Sequence, residues 1–425
     1  MKKPSGLVLL GLLVTSGLVS QEVNPRFVGR LSAEVEKVPQ TLHGAVGLGT
    51  EVSWGEVDGA ILGGIALRDT VASWDWPEAW LALGESWPLF IKVGLWPDPK
   101  GPALFHSLVP TFTSGSGTEF LATAGSAPLP SPGKVSLRAT GNEWSWSGEI
   151  SPWRPTPLLP DPHSRWFPRK DIPTSLPVLG YPLNSVLAEN EPRDEKWTEW
   201  PLRSELRWSA LWGDVSAGAY RGPDPQLLLP ARMRVDASVN TFDVVLVPVL
   251  DPVNAVWTTL EIPMGSAKLW AEQRWTWGRR VLVEGTDVSD SYEYFVQRTG
   301  VASIWEGLMG ANVSFSGGAW GTLRFWAEGS FYRDISDPSR VIPDFTAGLV
   351  GGTSWEESRG LWRLDLMGGT PWDPQQGWVW LRASWNWMEG RTLWLGTPGF
   401  WGPPESAWGQ FAGRSPWAWG VSWEQ

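Results

Sequence analysis

Trp417-Ala418-Trp419-Gly420-Val421-Ser422-Trp423 decides the fold. Bulky apolar residues occupy every second position, and small or polar residues stand between them. Successive side chains of a strand point to opposite faces, so this segment has one aromatic face and one small, polar face. The alternation recurs upstream. Leu31, Ala33 and Val35 oppose Arg30, Ser32, Glu34 and Glu36, and Leu206, Trp208, Ala210 and Trp212 oppose Arg203, Glu205, Arg207 and Ser209. Ala267, Leu269, Ala271, Trp275 and Trp277 oppose Lys268, Glu272 and Arg274, and Val379, Leu381, Ala383, Trp385 and Trp387 oppose Arg382, Ser384 and Asn386. Runs of about 9–11 residues have the length that crosses a bilayer at a tilt.

A soluble sandwich also alternates, so the choice rests on what each face carries. The chain has 425 residues, 34 of them Trp. Trp favours the boundary between apolar and wet surroundings, where the ring is buried and its N–H stays hydrogen-bonded. A sugar-binding surface would need only a few such residues, whereas these run from Trp54 to Trp423. The opposite face carries ionised groups. The pattern therefore predicts an all-β chain folded as a single antiparallel transmembrane β-barrel, with the apolar face towards lipid. About 16 strands are expected, within a range of 14–18 for a barrel of this length. Trp208, Trp212, Trp275, Trp277, Trp385, Trp387, Trp417, Trp419 and Trp423 are expected to form its membrane girdle.

Met1-Lys2-Lys3, an apolar run from Leu7 to Val19 and then Ser20-Gln21 read as a secretory signal peptide over 1–20. The run is too short to span a bilayer as a helix. Residues 21–425 are expected to form one barrel placed in the cell outer membrane. The absence of Cys excludes a disulfide scaffold and cysteine metal sites. A net charge of −11 argues against nucleic acid as a partner. The expected partners are the lipid bilayer, the outer-membrane assembly machinery and small solutes.

Turn signals separate the runs at Trp54-Gly55-Glu56-Val57-Asp58-Gly59, Gly141-Asn142, Trp212-Gly213-Asp214, Gly317-Gly318 and Met388-Glu389-Gly390. Longer Pro-rich gaps lie at 97–112 and 152–201. Because Pro lacks the N–H a ladder needs, 152–201 is expected to be a long irregular loop, free of strand. Its basic cluster of Arg154, His163, Arg165, Arg169 and Lys170 would form a constriction if the loop folds into the lumen. Solvated charges on an external loop are the plainer alternative. Arg138, Arg203, Glu205, Arg207, Lys268, Glu272, Arg274, Arg324, Glu328 and Arg382 are the expected pore-lining residues.

Three stretches resemble the porin-like outer-membrane β-barrels of Gram-negative-type bacteria. They are Glu78–Leu83 with Leu89-Phe90-Ile91-Lys92-Val93-Gly94-Leu95-Trp96, then Leu158–Pro160 with Ser164-Arg165-Trp166-Phe167-Pro168, then Glu205–Gly222 with its Tyr220-Arg221-Gly222 ending. The likeness covers roughly the first half of the chain. It implies an outer-membrane barrel with passive solute passage, and it supplies no catalytic residues.

The residues themselves show no enzyme chemistry. The three His are His43, His106 and His163, with no nucleophile motif and no metal-ligand spacing among them. Asp287, Asp290 and Glu293 lack the spacing of a calcium loop. No enzyme, metal or cofactor is therefore expected. The leading functional expectation is a porin-like channel for small polar or charged solutes. A structural or adhesive barrel with a plugged lumen is the alternative, and a secreted Trp-rich carbohydrate-binding protein is a third reading.

Overall fold

The computed structural model describes residues 22–35, 41–54, 57–68, 71–84, 88–96, 133–153, 175, 180–188, 200–224, 228, 231–236, 238–246, 251–287, 293–336, 348–372, 374–388, 391–404, 406, 408–409, 412 and 417–424; over 22–49 and some other strand segments only the backbone is described. Residues 1–20, proposed as a signal peptide, and the basic cluster Arg154, His163, Arg165, Arg169 and Lys170 lie outside the described residues.

The described chain is nearly all strand. In order these are β1 (Glu22–Val35), β2 (Thr41–Trp54), β3 (Val57–Arg68), β4 (Val71–Leu83), β5 (Leu89–Leu95), β6 (Gly133–Thr140), β7 (Trp144–Trp153), β8 (Leu183–Ala188), β9 (Leu202–Ala210), β10 (Gly213–Pro223) and β11 (Ala231–Asp236). They continue as β12 (Thr241–Leu246), β13 (Pro252–Met264), β14 (Ala267–Asp287), β15 (Glu293–Ser316), β16 (Thr322–Asp334), β17 (Gly348–Glu356), β18 (Trp362–Pro371), β19 (Gly377–Met388), β20 (Arg391–Trp401) and β21 (Trp417–Glu424).

Antiparallel pairing runs from β1 through β7, steps to β9 and β10, steps again to β13, and then continues through β21. The last strand returns to the first: Ala33 faces Trp419, Leu31 faces Val421 and Gly29 faces Trp423. Of the 21 strands, all but β8, β11 and β12 thus form one closed ring of 18, the upper end of the expected range. Closure satisfies the backbone groups that an open edge would leave bare, a requirement in hydrocarbon.

Connections differ at the two rims. At one rim they span only two to five residues, at 55–56, 84–88, 141–143, 211–212, 265–266, 317–321, 357–361 and 389–390. At the other rim 36–40, 69–70, 288–292 and 372–376 are equally short, but all the long connections stand there, 96–132, 154–201, 224–251, 335–347 and 402–416. Long loops confined to one side are the asymmetry of outer-membrane barrels.

The outward face is apolar, and it is banded. Trp144, Trp208, Trp212, Trp320, Trp362, Trp385 and Trp387 stand exposed near the short-turn rim. Trp275, Trp277, Trp305, Trp372, Trp401 and Trp417 stand exposed towards the long-loop rim. Between them lie Leu206, Leu364, Leu366, Val379, Leu381 and Leu395, also exposed. From Trp362 to Trp372 a tilted strand covers about 25 Å along the barrel axis, the height of a barrel's apolar band. Neighbouring indoles brace each other, with Trp275 and Trp277 stacked at 5.3 Å and Trp362 and Trp385 at 5.8 Å. Of the expected girdle, Trp208, Trp212, Trp275, Trp277, Trp385, Trp387 and Trp417 are exposed and Trp419 is half-buried. The Trp423 side chain lies outside the described ones.

Three expectations need correction. First, 152–201 is not free of strand. β7 runs on through Pro152 to Trp153, and the Pro-free stretch Leu183–Ala188 forms β8, which pairs parallel with β12. Second, the single barrel carries a small side sheet. β14 and β15 project beyond the ring at the long-loop rim, and the tip of β15 pairs with β11, which pairs with β12. Val235, Phe242, Val244 and Leu246 form a dry core in this sheet, with Leu183, Val186 and Met233 against it. In its hairpin turn the Ser238 hydroxyl and amide donate to Asp236 at 2.5 and 2.9 Å, which holds that carboxyl below its usual range. Third, the indoles do not all face lipid. Trp257, Trp270, Trp378, Trp380 and Trp394 are buried on the inner face.

Inner indoles are accommodated by glycine on the neighbouring strand. Gly218 stands opposite Trp257, Gly310 opposite Trp270, and Gly420 opposite Trp394. A Cβ on Gly218 would lie 2.2 Å from the Trp257 ring, and one on Gly420 would lie 2.4 Å from Trp394. Each ring therefore lies flat across its partner strand instead of projecting into the lumen. An aromatic covering a bare strand glycine also restores the packing that the glycine lacks.

Candidate functional site

The inner face of the ring is the candidate site. Antiparallel partners share a face, so the register sorts the ionised residues strand by strand. Glu149 faces Arg203 and Arg203 faces Tyr220; Thr259 faces Glu272, Trp257 faces Arg274 and Arg274 faces Glu306. Arg324 faces Ser314 and Ser354, and Asp365 faces Arg382. All ten residues expected to line a pore fall on this one face. They divide by depth. Arg138, Arg207 and Arg324 are exposed and lie towards the short-turn rim, whereas Arg203, Glu272, Arg274 and Glu328 are buried deeper. Glu205, Lys268 and Arg382 are half-buried.

The shallow region is wet and loosely paired. Arg207 reaches Asp214 at 2.5 Å and Lys268 reaches Glu261 at 2.9 Å. Among the described residues neither Arg138 nor Arg324 has a carboxylate partner. Exposed pairs of this kind add little stability, and they set a field in the water beside them.

The deep region is a packed layer of ions and indoles. Glu306 accepts from Arg274 Nε at 2.6 Å and from Arg279 Nη1 at 3.2 Å. Arg279 also grips Asp224 with two bonds, at 2.7 and 3.0 Å. Asp224 stands just past β10, at the start of a long connection, so this chain of charges ties that connection to the wall. Arg203 is bonded to Glu205 and stands 5.4 Å over the Trp257 ring. Lys92 lies 3.6 Å over Trp80, Lys134 lies 4.8 Å over Trp96, and Arg382 lies 4.9 Å over Trp394. A cation over an indole face recovers part of the attraction that it loses on leaving water.

Eighteen strands enclose more space than wall side chains fill. Yet Trp257 is 2 %, Arg274 3 % and Glu272 3 % exposed. Wall side chains account for part of this burial, since Arg203 lies over Trp257 and Glu306 is bonded to Arg274. Trp408, in the β20–β21 connection, adds to it at another place: it stacks on Phe400 at 6.2 Å and leans on Trp378 at 6.1 Å, both on the inner wall. Trp408 thus lines the long-loop half of the inner wall, whereas the exposed Arg138, Arg207 and Arg324 lie towards the short turns.

Lys134, Asp224, Arg279 and Glu306 were not among the expected lining residues. Strict alternation from Trp275 and Trp277 would send Arg279 outwards. A register shift at Gly278, whose φ is +79°, turns it in beside Arg274. A Gly followed by two Arg in the middle of an alternating run was the one available signal.

No family model matches the chain, and no curated protein matches it. Solved structures do resemble it. One is Wzi of Escherichia coli, described as an outer-membrane protein involved in group 1 capsule assembly and a carbohydrate-binding β-barrel; it is 10% identical, with a TM-score of 0.50 over 100% of this chain and 89% of that one. OprB of Pseudomonas putida is 9% identical, with a TM-score of 0.45 over 99% and 97%. OmpF of Salmonella typhi is 10% identical, with a TM-score of 0.41 over 95% and 97%. At these identities the likeness concerns the fold, and the first of the three supports the barrel architecture.

Proposed function

We propose that the protein is an outer-membrane, porin-like channel for small polar or charged solutes, with a wide vestibule at the short-turn rim and a constriction in the long-loop half. The observation that carries this reading is a closed ring whose outer face is apolar with two Trp bands and whose inner face is ionic. A lumen lined by both signs of charge orients and passes polar solutes while hydrocarbon excludes them. Arg138, Arg203, Glu205, Arg207, Lys268, Glu272, Arg274, Arg324, Glu328 and Arg382 are the proposed lining residues, the first, fourth, fifth and eighth in the vestibule and the others in or bordering the constriction. The cluster Arg154, His163, Arg165, Arg169 and Lys170 is proposed to belong to a constriction loop that narrows the path.

The buried layer around Arg274 and Glu306 supports a second reading, a structural barrel with a closed lumen. Reconstituting the purified protein in planar bilayers separates the two. The channel reading expects discrete conductance steps in potassium chloride; a folded, inserted barrel without steps at any voltage favours the closed one.

A further inference from the structure

We propose that the outer wall of the barrel holds one anionic phospholipid, its acyl chain in a groove across β6, β7, β9, β10, β13 and β14 and its phosphate on Arg221. The inference rests on the membrane reading above. The groove has a volume of about 680 Å³, within the range of sites that hold small ligands. Its floor is a row of small outward residues on three adjacent strands: Gly148 faces Ser204, and Ser204 faces Ala219. Trp146 deepens this floor by lying down. Its ring covers Gly148, where an added Cβ would lie 2.9 Å away, and its Nε1 donates to Ser204 Oγ at 3.0 Å. Trp277 closes the far side.

The loop-side end of the groove is polar. Arg221 faces Asn254, and Asn254 faces Trp277, in one outward row. Arg221 is exposed, and the residues on either side of it, Tyr220 and Gly222, are buried. Among the described residues Arg221 has no carboxylate partner, and Asp251 nearby is bonded to Arg280 at 2.9 Å. Arg221 lies about 20 Å from the short-turn rim along the axis, at the edge of the apolar band. An unpaired guanidinium on a lipid-facing wall matches a headgroup phosphate, which accepts its fork of donors, with the Asn254 amide beside it. Below it the small-residue floor admits a chain that the flanking Leu and Trp side chains would otherwise displace. An acyl chain with a phosphate at one end has the shape and the charge of this site.

The test uses the full chain, folded and delipidated in detergent, then incubated with phosphatidylglycerol, with a neutral diacylglycerol or with glycerol phosphate, and examined by native mass spectrometry. One phosphatidylglycerol should remain bound per barrel, with at least tenfold preference over the neutral lipid and no retention of glycerol phosphate. Arg221→Gln should lower retention about tenfold, and Ala219→Leu, which fills the floor, should do the same with Arg221 intact. Heat-dependent mobility on gels confirms that both variants remain folded barrels. Equal retention by wild type and Arg221→Gln, no preference over the neutral lipid, or a second copy of the chain held in place of lipid would each overturn the proposal while leaving the membrane reading standing. A protein that stays dispersed in detergent-free buffer would overturn both.

Discussion

Replacing Glu306 by alanine is expected to lower the unfolding free energy of the barrel by about 3–5 kcal/mol, the cost of removing one partner from a buried ionic group. Glu306 holds Arg274 at 2.6 Å and Arg279 at 3.2 Å, and all three side chains are at most 5 % exposed. Without that carboxylate two guanidinium groups lose their shared counter-charge in a region that water does not reach freely. The asymmetry follows from desolvation. A complete buried pair contributes little net stability, because taking both ions out of water offsets their attraction, but an orphaned ion keeps the penalty alone. Replacing Arg274 and Glu306 together by Met and Leu should therefore cost less than Glu306→Ala. Denaturant unfolding in detergent, followed by the fraction of heat-modifiable barrel on gels, measures both. A loss below about 1 kcal/mol for Glu306→Ala would show that the site is wet.

The second large effect concerns ion selectivity. Converting Arg138, Arg207 and Arg324 to Ser is expected to shift the channel towards cations, by roughly three- to tenfold in the permeability ratio at 10 mM salt. A unit charge about 10 Å from an ion's path in water contributes about 0.4 kcal/mol, and three such contributions multiply. The Debye length at that salt is about 30 Å, so the charges act across the vestibule; at 1 M it is about 3 Å, and the shift should vanish. Arg207 has an added consequence, because its removal frees Asp214, now paired with it at 2.5 Å. The reversal potential across a salt gradient is the readout. An unchanged potential at low salt would place these arginines off the conduction path.

Much of this barrel is legible in the sequence because a strand exposes its two faces residue by residue. Leu364 and Leu366 point out while Arg363 and Asp365 face in, and nothing beyond the period of two is needed to say so. The same holds for the shared face of the ten residues proposed to line the lumen and for the turns at 141–143, 211–212 and 317–321. Register is what the sequence hides. Trp270 breaks no local rule, yet its inward position depends on Gly310, forty residues away, standing opposite. Glu306 meets Arg274 across a ladder whose offset changes twice on the way from the hairpin end, between Leu282 and Thr286 and again at Gly278. Loop composition misleads for a related reason. Pro removes one donor without ending a strand, as Pro152 in β7 and Pro398 in β20 show, and it says nothing of the six Pro-free residues that follow Pro182. Indoles appear on both faces because Trp suits any boundary between apolar and polar groups. Such a boundary exists at the lipid headgroups and again under a lumen cation.

Accessibility along β18 tests most directly which solvent each face meets. The chain has no Cys, so a cysteine placed singly at Arg363, Leu364, Asp365 or Leu366 is unique and can carry a spin label in lipid vesicles. Labels at 364 and 366 should be relaxed by oxygen dissolved in the hydrocarbon, and those at 363 and 365 by a water-soluble nickel chelate, alternating with a period of two. If instead 364 and 366 are shielded from both reagents, in a protein that stays dispersed in plain buffer, the apolar face is a dry core and no membrane channel exists.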